Sequence, residues 1–112
     1  MGVEMNTPAP LKLKIDIPKD KIADFCRRHH IQKLSLFGSV LRDDFGPESD
    51  VDVLVEFEPE HVPGLFRLAS MEFELAEILG GKRKVDMNTA GSLSRYFRDK
   101  VLAEAQVQYV HH

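Results

Sequence analysis

The chain has 112 residues, 43% of them hydrophobic and 29% charged, which fits one folded domain with its own core. Fifteen Lys and Arg against eighteen Asp and Glu give a formal net charge of −3, which excludes a polybasic nucleic-acid coat or membrane-surface binder. The single cysteine, Cys26, excludes an intramolecular disulfide framework and a Cys-rich zinc site.

Residues 1–10 are poor in apolar side chains and contain Pro8 and Pro10, so they read as a flexible lead-in without a signal peptide. Residues 11–110 read as the domain. No apolar run approaches the ~20 residues of a membrane span, and one thiol without an export signal points to the cytoplasm. Leu11 to Ile17 alternates apolar and polar residues as an extended segment does. Pro18 suits the first turn of a helix running to His30, with Ile22, Ala23, Phe25 and Cys26 at helical spacing and Cys26 on its core side. Leu34 to Phe37 predicts a short strand ending at Gly38, and Ser39 to Arg42 a short helix. Asp43 to Ser49, with Gly46-Pro47, is a loop. Val51, Val53, Val55 and Phe57 alternate with Asp50, Asp52, Leu54 and Glu56, a strand pattern. Leu65 to Leu79 is the longest helix, stopped by Gly80-Gly81. It is apolar around much of its circumference, so most of those residues are core and an excess face can dock a partner. Lys84 to Asn88 predicts a third core strand, and Ser92 to Val110 a helix in one or two pieces. The fold class is α/β (α+β): a small layered domain of strands and helices.

The chemistry concentrates in Leu36-Phe37-Gly38-Ser39-Val40-Leu41-Arg42 and Ser49-Asp50-Val51-Asp52-Val53. Residues two apart on a strand share a face, about 6.5–7 Å apart, so Asp50 and Asp52 present paired carboxylates while the valines turn inward. Like charges this close disfavour each other's ionisation. A hard cation such as Mg²⁺, which takes carboxylates, waters and substrate phosphates, relieves that conflict. Gly38 permits close backbone approach to a ligand, and the helix start beyond it offers free N–H groups to phosphate. Ser39 adds a hydroxyl. Arg42 either forks onto a phosphate or pairs with Asp43 or Asp44. Asp86, in Lys84-Val85-Asp86-Met87-Asn88, is the candidate third carboxylate of a two-metal site, able also to accept the proton of an attacking hydroxyl. Lys82-Arg83-Lys84 reads as a solvated loop, and Arg27-Arg28-His29-His30 as cations at a helix C-terminus. His29, His30 and His61 share no ligand-type spacing, and zinc is not expected.

Gly38-Ser39, ten intervening residues and then Asp50-Val51-Asp52 fit the GS-x10-D-x-D signature of the DNA polymerase β-like nucleotidyltransferase superfamily. From about Ile22 to Tyr109 the chain closely resembles the minimal nucleotidyltransferase (MNT) branch. Arg42, Ser49, Val53-Leu54-Val55, Pro63-Gly64-Leu65-Phe66, Val85-Asp86, Leu93-Ser94 and Val101-Leu102-Ala103-Glu104-Ala105 carry the likeness beside the signature. The resemblance implies a short mixed sheet flanked by helices. It implies Mg²⁺, two ions, on Asp50, Asp52 and Asp86, and a nucleoside triphosphate held by Gly38 and Ser39. It further implies transfer of a nucleoside monophosphate, often AMP from ATP, to a hydroxyl with release of pyrophosphate. Many MNT proteins are antitoxins encoded with a HEPN-domain toxin, which they silence by adenylylating a tyrosine. Two positions depart from the branch: Asp43 stands where many relatives have Gly, and Met87-Asn88 where aliphatic residues are usual.

Two other functions compete with this expectation. One is an antitoxin that blocks its partner by occlusion, with little or no catalysis. The other is a small-molecule nucleotidyltransferase, whose relatives usually carry an acceptor-binding domain that this length does not accommodate.

Overall fold

The computed structural model describes residues 15–42 and 45–111. The predicted lead-in and the first four residues of the extended segment Leu11–Ile17 lie outside these, as do Asp43 and Asp44. Residues 15–17 carry no strand.

The first helix, α1, spans Lys19–Arg28, with Pro18 as its N-cap. Asp20 lies in its first turn and Arg27 and Arg28 in its last, the charge order that the helix dipole favours. Its Ile22, Phe25 and Cys26 face the core. Burial pushes the Cys26 thiol up to about 12, so this cysteine is an inert core residue, as its place in the helix predicts. Strand β1, Ile31–Phe37, follows and gives way to a four-residue 3-10 turn, Gly38–Leu41. Strand β2 covers Val51–Phe57. A second 3-10 turn, Pro59–His61, leads to α2, Leu65–Ile78. Gly80 and Gly81, both at positive φ, end that helix. Strand β3, Val85–Asn88, is followed by a 3-10 turn at Ala90–Ser92, where Thr89 and Ser92 form a reciprocal capping box. Helix α3 spans Arg95–Glu104, with the Ser94 hydroxyl accepting the Tyr96 N–H.

The chain does not stay helical to Val110. Ala105 turns extended and Gln106–Val110 forms a strand, β4. Gln106-Val107-Gln108-Tyr109-Val110 alternates polar with β-branched or aromatic side chains, and β1 has a free edge to pair with. Leu34 pairs with Tyr109 and Leu36 with Gln106. Tertiary pairing therefore overrides any continuation of α3.

The four strands form one mixed sheet in the order β3-β2-β1-β4, with β2 and β3 parallel and the other pairs antiparallel. Val51, Val53 and Val55 of β2, with Leu34 and Leu36 of β1, join Phe25, Met71 and Leu75 in the main core under α1 and α2. The opposite face carries a smaller cluster of Phe37, Leu54, Leu93 and Val101 under α3. Two polar ties hold α2. Glu74 accepts from Arg28 and contacts the His29 ring of α1 at 2.9 Å. The Arg28 hydrogen bond holds the Glu74 carboxyl below its ordinary value. That contribution is present at neutral pH and is lost as acid protonates the group. Glu72 accepts the Met87 N–H of β3 at 2.7 Å.

Of the apolar residues of α2, only Met71 and Leu75 are buried, with Leu68, Ala76 and Ile78 partly buried against the core, so the helix is less of a core element than its composition suggests. Leu65, Phe66 and Phe73 are 84%, 94% and 76% exposed, because the stripe facing the sheet runs through Leu68, Met71 and Leu75. Among the described residues, no helix is long and apolar enough to cross a membrane. Leu75→Ala is expected to cost about 2–5 kcal/mol in urea unfolding, whereas Phe73→Ala on the outer face changes stability by less than ~0.5 kcal/mol.

Candidate active site

Backbone register assembles the site. Asp52 of β2 is paired with Phe37, the last residue of β1, on one side and with Asp86 of β3 on the other. Adjacent strands lie about 4.8 Å apart, so two carboxylates that are 34 residues apart in sequence stand as direct neighbours. Val51 and Val53 are buried on the main-core side, which leaves Asp52 on the other face, at the border of the Phe37–Leu54 cluster. Asp50 precedes β2 by one residue and is exposed, as is Asp86, while Asp52 is half-buried.

The electrostatics bind these residues into one group. The Asp52 carboxyl is raised above its ordinary value, first by burial, then by the charges of Asp86 and Asp50, with Arg42 partly opposing them. Asp86, Asp50 and Arg42, all singled out in the sequence, thus all act on Asp52 in the fold. The carboxylate donor set is all oxygen and anionic, the kind that takes a hard divalent cation such as Mg²⁺. The raised Asp52 value marks burial first and carboxylate repulsion second, and a bound cation would offset both.

Gly38 closes the site from the other side. Its φ is +79°, and a Cβ there would lie 2.3 Å from Asp52 Oδ2. Only glycine lets the turn approach the carboxylate this closely and take the left-handed conformation as well. The turn beyond it is a four-residue 3-10 segment where a helix start was expected. Any phosphate binding here must therefore use individual N–H groups and the Ser39 hydroxyl, with little help from a helix dipole. The Arg42 N–H donates to the Ser39 carbonyl at 2.9 Å and closes the turn.

One part of the site was not read from the sequence. A cavity of about 260 Å³ adjoins the turn, lined by Phe37, Gly38, Arg42, Phe97, Lys100 and Glu104 among others. Its far wall is α3. Phe97, Lys100 and Glu104 carry a three- and four-residue spacing, the one sequence signal for a shared helical face. That signal names no target until the sheet has placed α3 over Phe37.

Comparison with known proteins gives a consistent family. Residues 19–107 match the nucleotidyltransferase domain family. A Methanocaldococcus jannaschii protein provisionally named a protein adenylyltransferase is 34% identical over 93 residues, covering 83% of this chain and 96% of its own. The protein adenylyltransferase MntA of Thermococcus cleftensis is 34% identical over 77 residues, covering 69% and 74%. A solved structure provisionally described as a minimal nucleotidyltransferase superposes with a TM-score of 0.62 at 32% identity, over 78% of this chain and 85% of the other. A toxin–antitoxin structure with AMP-PNP shares the fold at a TM-score of 0.67 and 20% identity, covering 86% of this chain and 76% of that one.

Gly38→Ala is expected to destabilise the fold by about 1–3 kcal/mol, the usual scale of a forced backbone conformation. Gly46→Ala, with open space around it, should stay within ~0.5 kcal/mol on the same denaturation assay. Asp52→Asn should raise the thermal midpoint of the EDTA-treated protein at neutral pH. The folded-state pKa of Asp52 lies above its unfolded value of 3.8, so ionisation penalises the native state at neutral pH. The advantage of the variant must then shrink as the pH falls through that raised pKa.

Proposed function

This chain belongs to the nucleotidyltransferase domain family, and we propose that it is a Mg²⁺-dependent protein adenylyltransferase acting as antitoxin to a HEPN-domain toxin. The observation that carries the reading is the pairing of Asp52 with Asp86, closed by the bare backbone of Gly38. Its relatives named as protein adenylyltransferases support the reaction class. The toxin–antitoxin assemblies among its structural neighbours support the biological setting.

In this reading Gly38 and Ser39 hold the triphosphate of ATP, and Arg42 steadies it with a bidentate cation. Asp50, Asp52 and Asp86 are the ligands for Mg²⁺, two ions in all, and the bound metal supplies charge neutralisation for the triphosphate and the departing pyrophosphate. The acceptor is a tyrosine hydroxyl of the toxin. Asp86 takes its proton, and the tyrosine oxygen bonds to the α-phosphorus. The bond from that phosphorus to the bridging oxygen breaks, and pyrophosphate leaves with the electron pair. The protein contributes mainly position and charge, as phosphoryl-group chemistry requires.

A second reading is neutralisation by occlusion, and one observation favours it: Leu65, Phe66 and Phe73 form an exposed apolar surface on α2 suited to a partner. One experiment separates the two. The chain is produced with its genomic neighbour and incubated with ATP labelled at the α-phosphate and MgCl₂. Label is expected on a tyrosine of the partner, and Asp50→Asn/Asp52→Asn is expected to cut transfer by at least ~100-fold. If that variant neutralises the toxin fully while no label moves, occlusion replaces catalysis.

A further inference from the structure

The end of the sheet remote from Asp52 holds a second convergence of ligating side chains. His30 closes the turn between α1 and β1 with φ 57°, a left-handed conformation uncommon outside glycine but enriched in histidine. Its carbonyl accepts the Glu58 N–H at 2.9 Å, which places the residue after β2 beside the residue before β1. Glu58 caps the Pro59–His61 turn, and the His61 N–H donates to the Glu58 carbonyl at 2.9 Å. Side chains three apart eclipse in 3-10 geometry, so Glu58 and His61 project together. The His30 and His61 rings stack at 3.6 Å between centroids, 12° from parallel.

One ligand atom from each of His30, Glu58 and His61 lies within 4.8 Å of the other two. A tetrahedral ion with bonds of ~2.0–2.1 Å holds its ligand atoms about 3.4 Å apart. The three groups therefore need a closure of up to about 1.4 Å, and one stacked ring must turn so that both imidazole nitrogens aim at a common point, a rearrangement within the reach of partly exposed side chains. His30 Nδ1 stands 3.8 Å from Glu58 Oε1, longer than a hydrogen bond. His29, by contrast, is engaged with Glu74 at 2.9 Å. The histidines that share no ligand spacing in the sequence are thus sorted by the fold into one committed to Glu74 and two that converge.

We infer that His30, Glu58 and His61 form a binding site for a divalent transition-metal ion, with Zn²⁺ the ion it suits best. Two imidazoles and one carboxylate suit a borderline ion and discriminate against Mg²⁺, which prefers oxygen ligands. The site is separate from the carboxylate cluster: Glu58 lies six positions beyond Asp52 along the direction of β2, about 20 Å of extended chain. An ion there ties the α1–β1 turn to the β2–α2 turn and leaves a coordination position for water. Its role is to hold the two turns together, outside the transfer chemistry.

The test is calorimetric titration of the full chain with ZnCl₂ in millimolar MgCl₂. One Zn²⁺ per chain is expected. His61→Ala and Glu58→Gln should each weaken binding at least about tenfold, and Zn²⁺ should raise the thermal midpoint of the parent chain but not of His61→Ala. His61 is exposed in a surface turn, and circular dichroism checks that both variants keep the fold. Asp50→Asn/Asp52→Asn and His111→Ala are expected to bind Zn²⁺ as the parent does. Equal Zn²⁺ affinity in the parent, His61→Ala and Glu58→Gln overturns the assignment, and so does loss of binding in the Asp50/Asp52 variant alone.

Discussion

Two carboxylates paired across parallel strands repel, and the surrounding structure is arranged to keep them there. Like charges directly opposite on a sheet oppose folding, and Asp52 is partly withdrawn from the water that would soften the repulsion. The valines of β2 answer this on the other face. Val51, Val53 and Val55 are essentially fully buried, so a one-residue slip of β2 would expose all three and drive the acids inward. The hydrophobic effect on one side of the strand thus holds an electrostatically unfavourable arrangement on the other.

The same logic explains the two clusters of apolar side chains. The main core under α1 and α2 supplies most of the burial. The smaller cluster under α3 has only Phe37, Leu54, Leu93 and Val101, because Asp52 and Asp86 occupy the rest of that face. The lesser cluster is what remains when two acids take up part of a sheet surface. It also leaves α3 standing over the Gly38 turn, with room for the cavity beside it.

Much of this was legible in the residues. The alternation from Val51 to Phe57 marks β2 to its last residue, and Gly80-Gly81 marks the end of α2. The signature residues Gly38, Ser39, Asp50 and Asp52 are close in sequence, so their spacing matches the family signature before any fold is known. Asp86 is harder, because its place depends on a parallel pairing that no local pattern encodes. The strand Gln106–Val110 was hidden for a similar reason. A short alternating segment after a helix has little preference of its own until the free edge of β1 fixes it. His30 and His61 lay beyond reading, since their meeting needs a left-handed turn, a 3-10 turn and the pairing of β1 with β2 all at once.

The hydrogen bond from the Met87 N–H to Glu72 has a consequence for how the molecule behaves at high concentration. Strand β3 borders the sheet, and an uncovered border invites a foreign strand to add to it. Here a helix side chain occupies a donor that such a strand would need, the strand is only four residues long, and Asp86 adds charge. An intruder would have to displace Glu72 and approach an acid. The border that presents Asp86 is therefore also guarded against amyloid-like stacking, which leaves the opposite border, β4 with its exposed Val107 and Val110, as the edge where a foreign strand would find easier access.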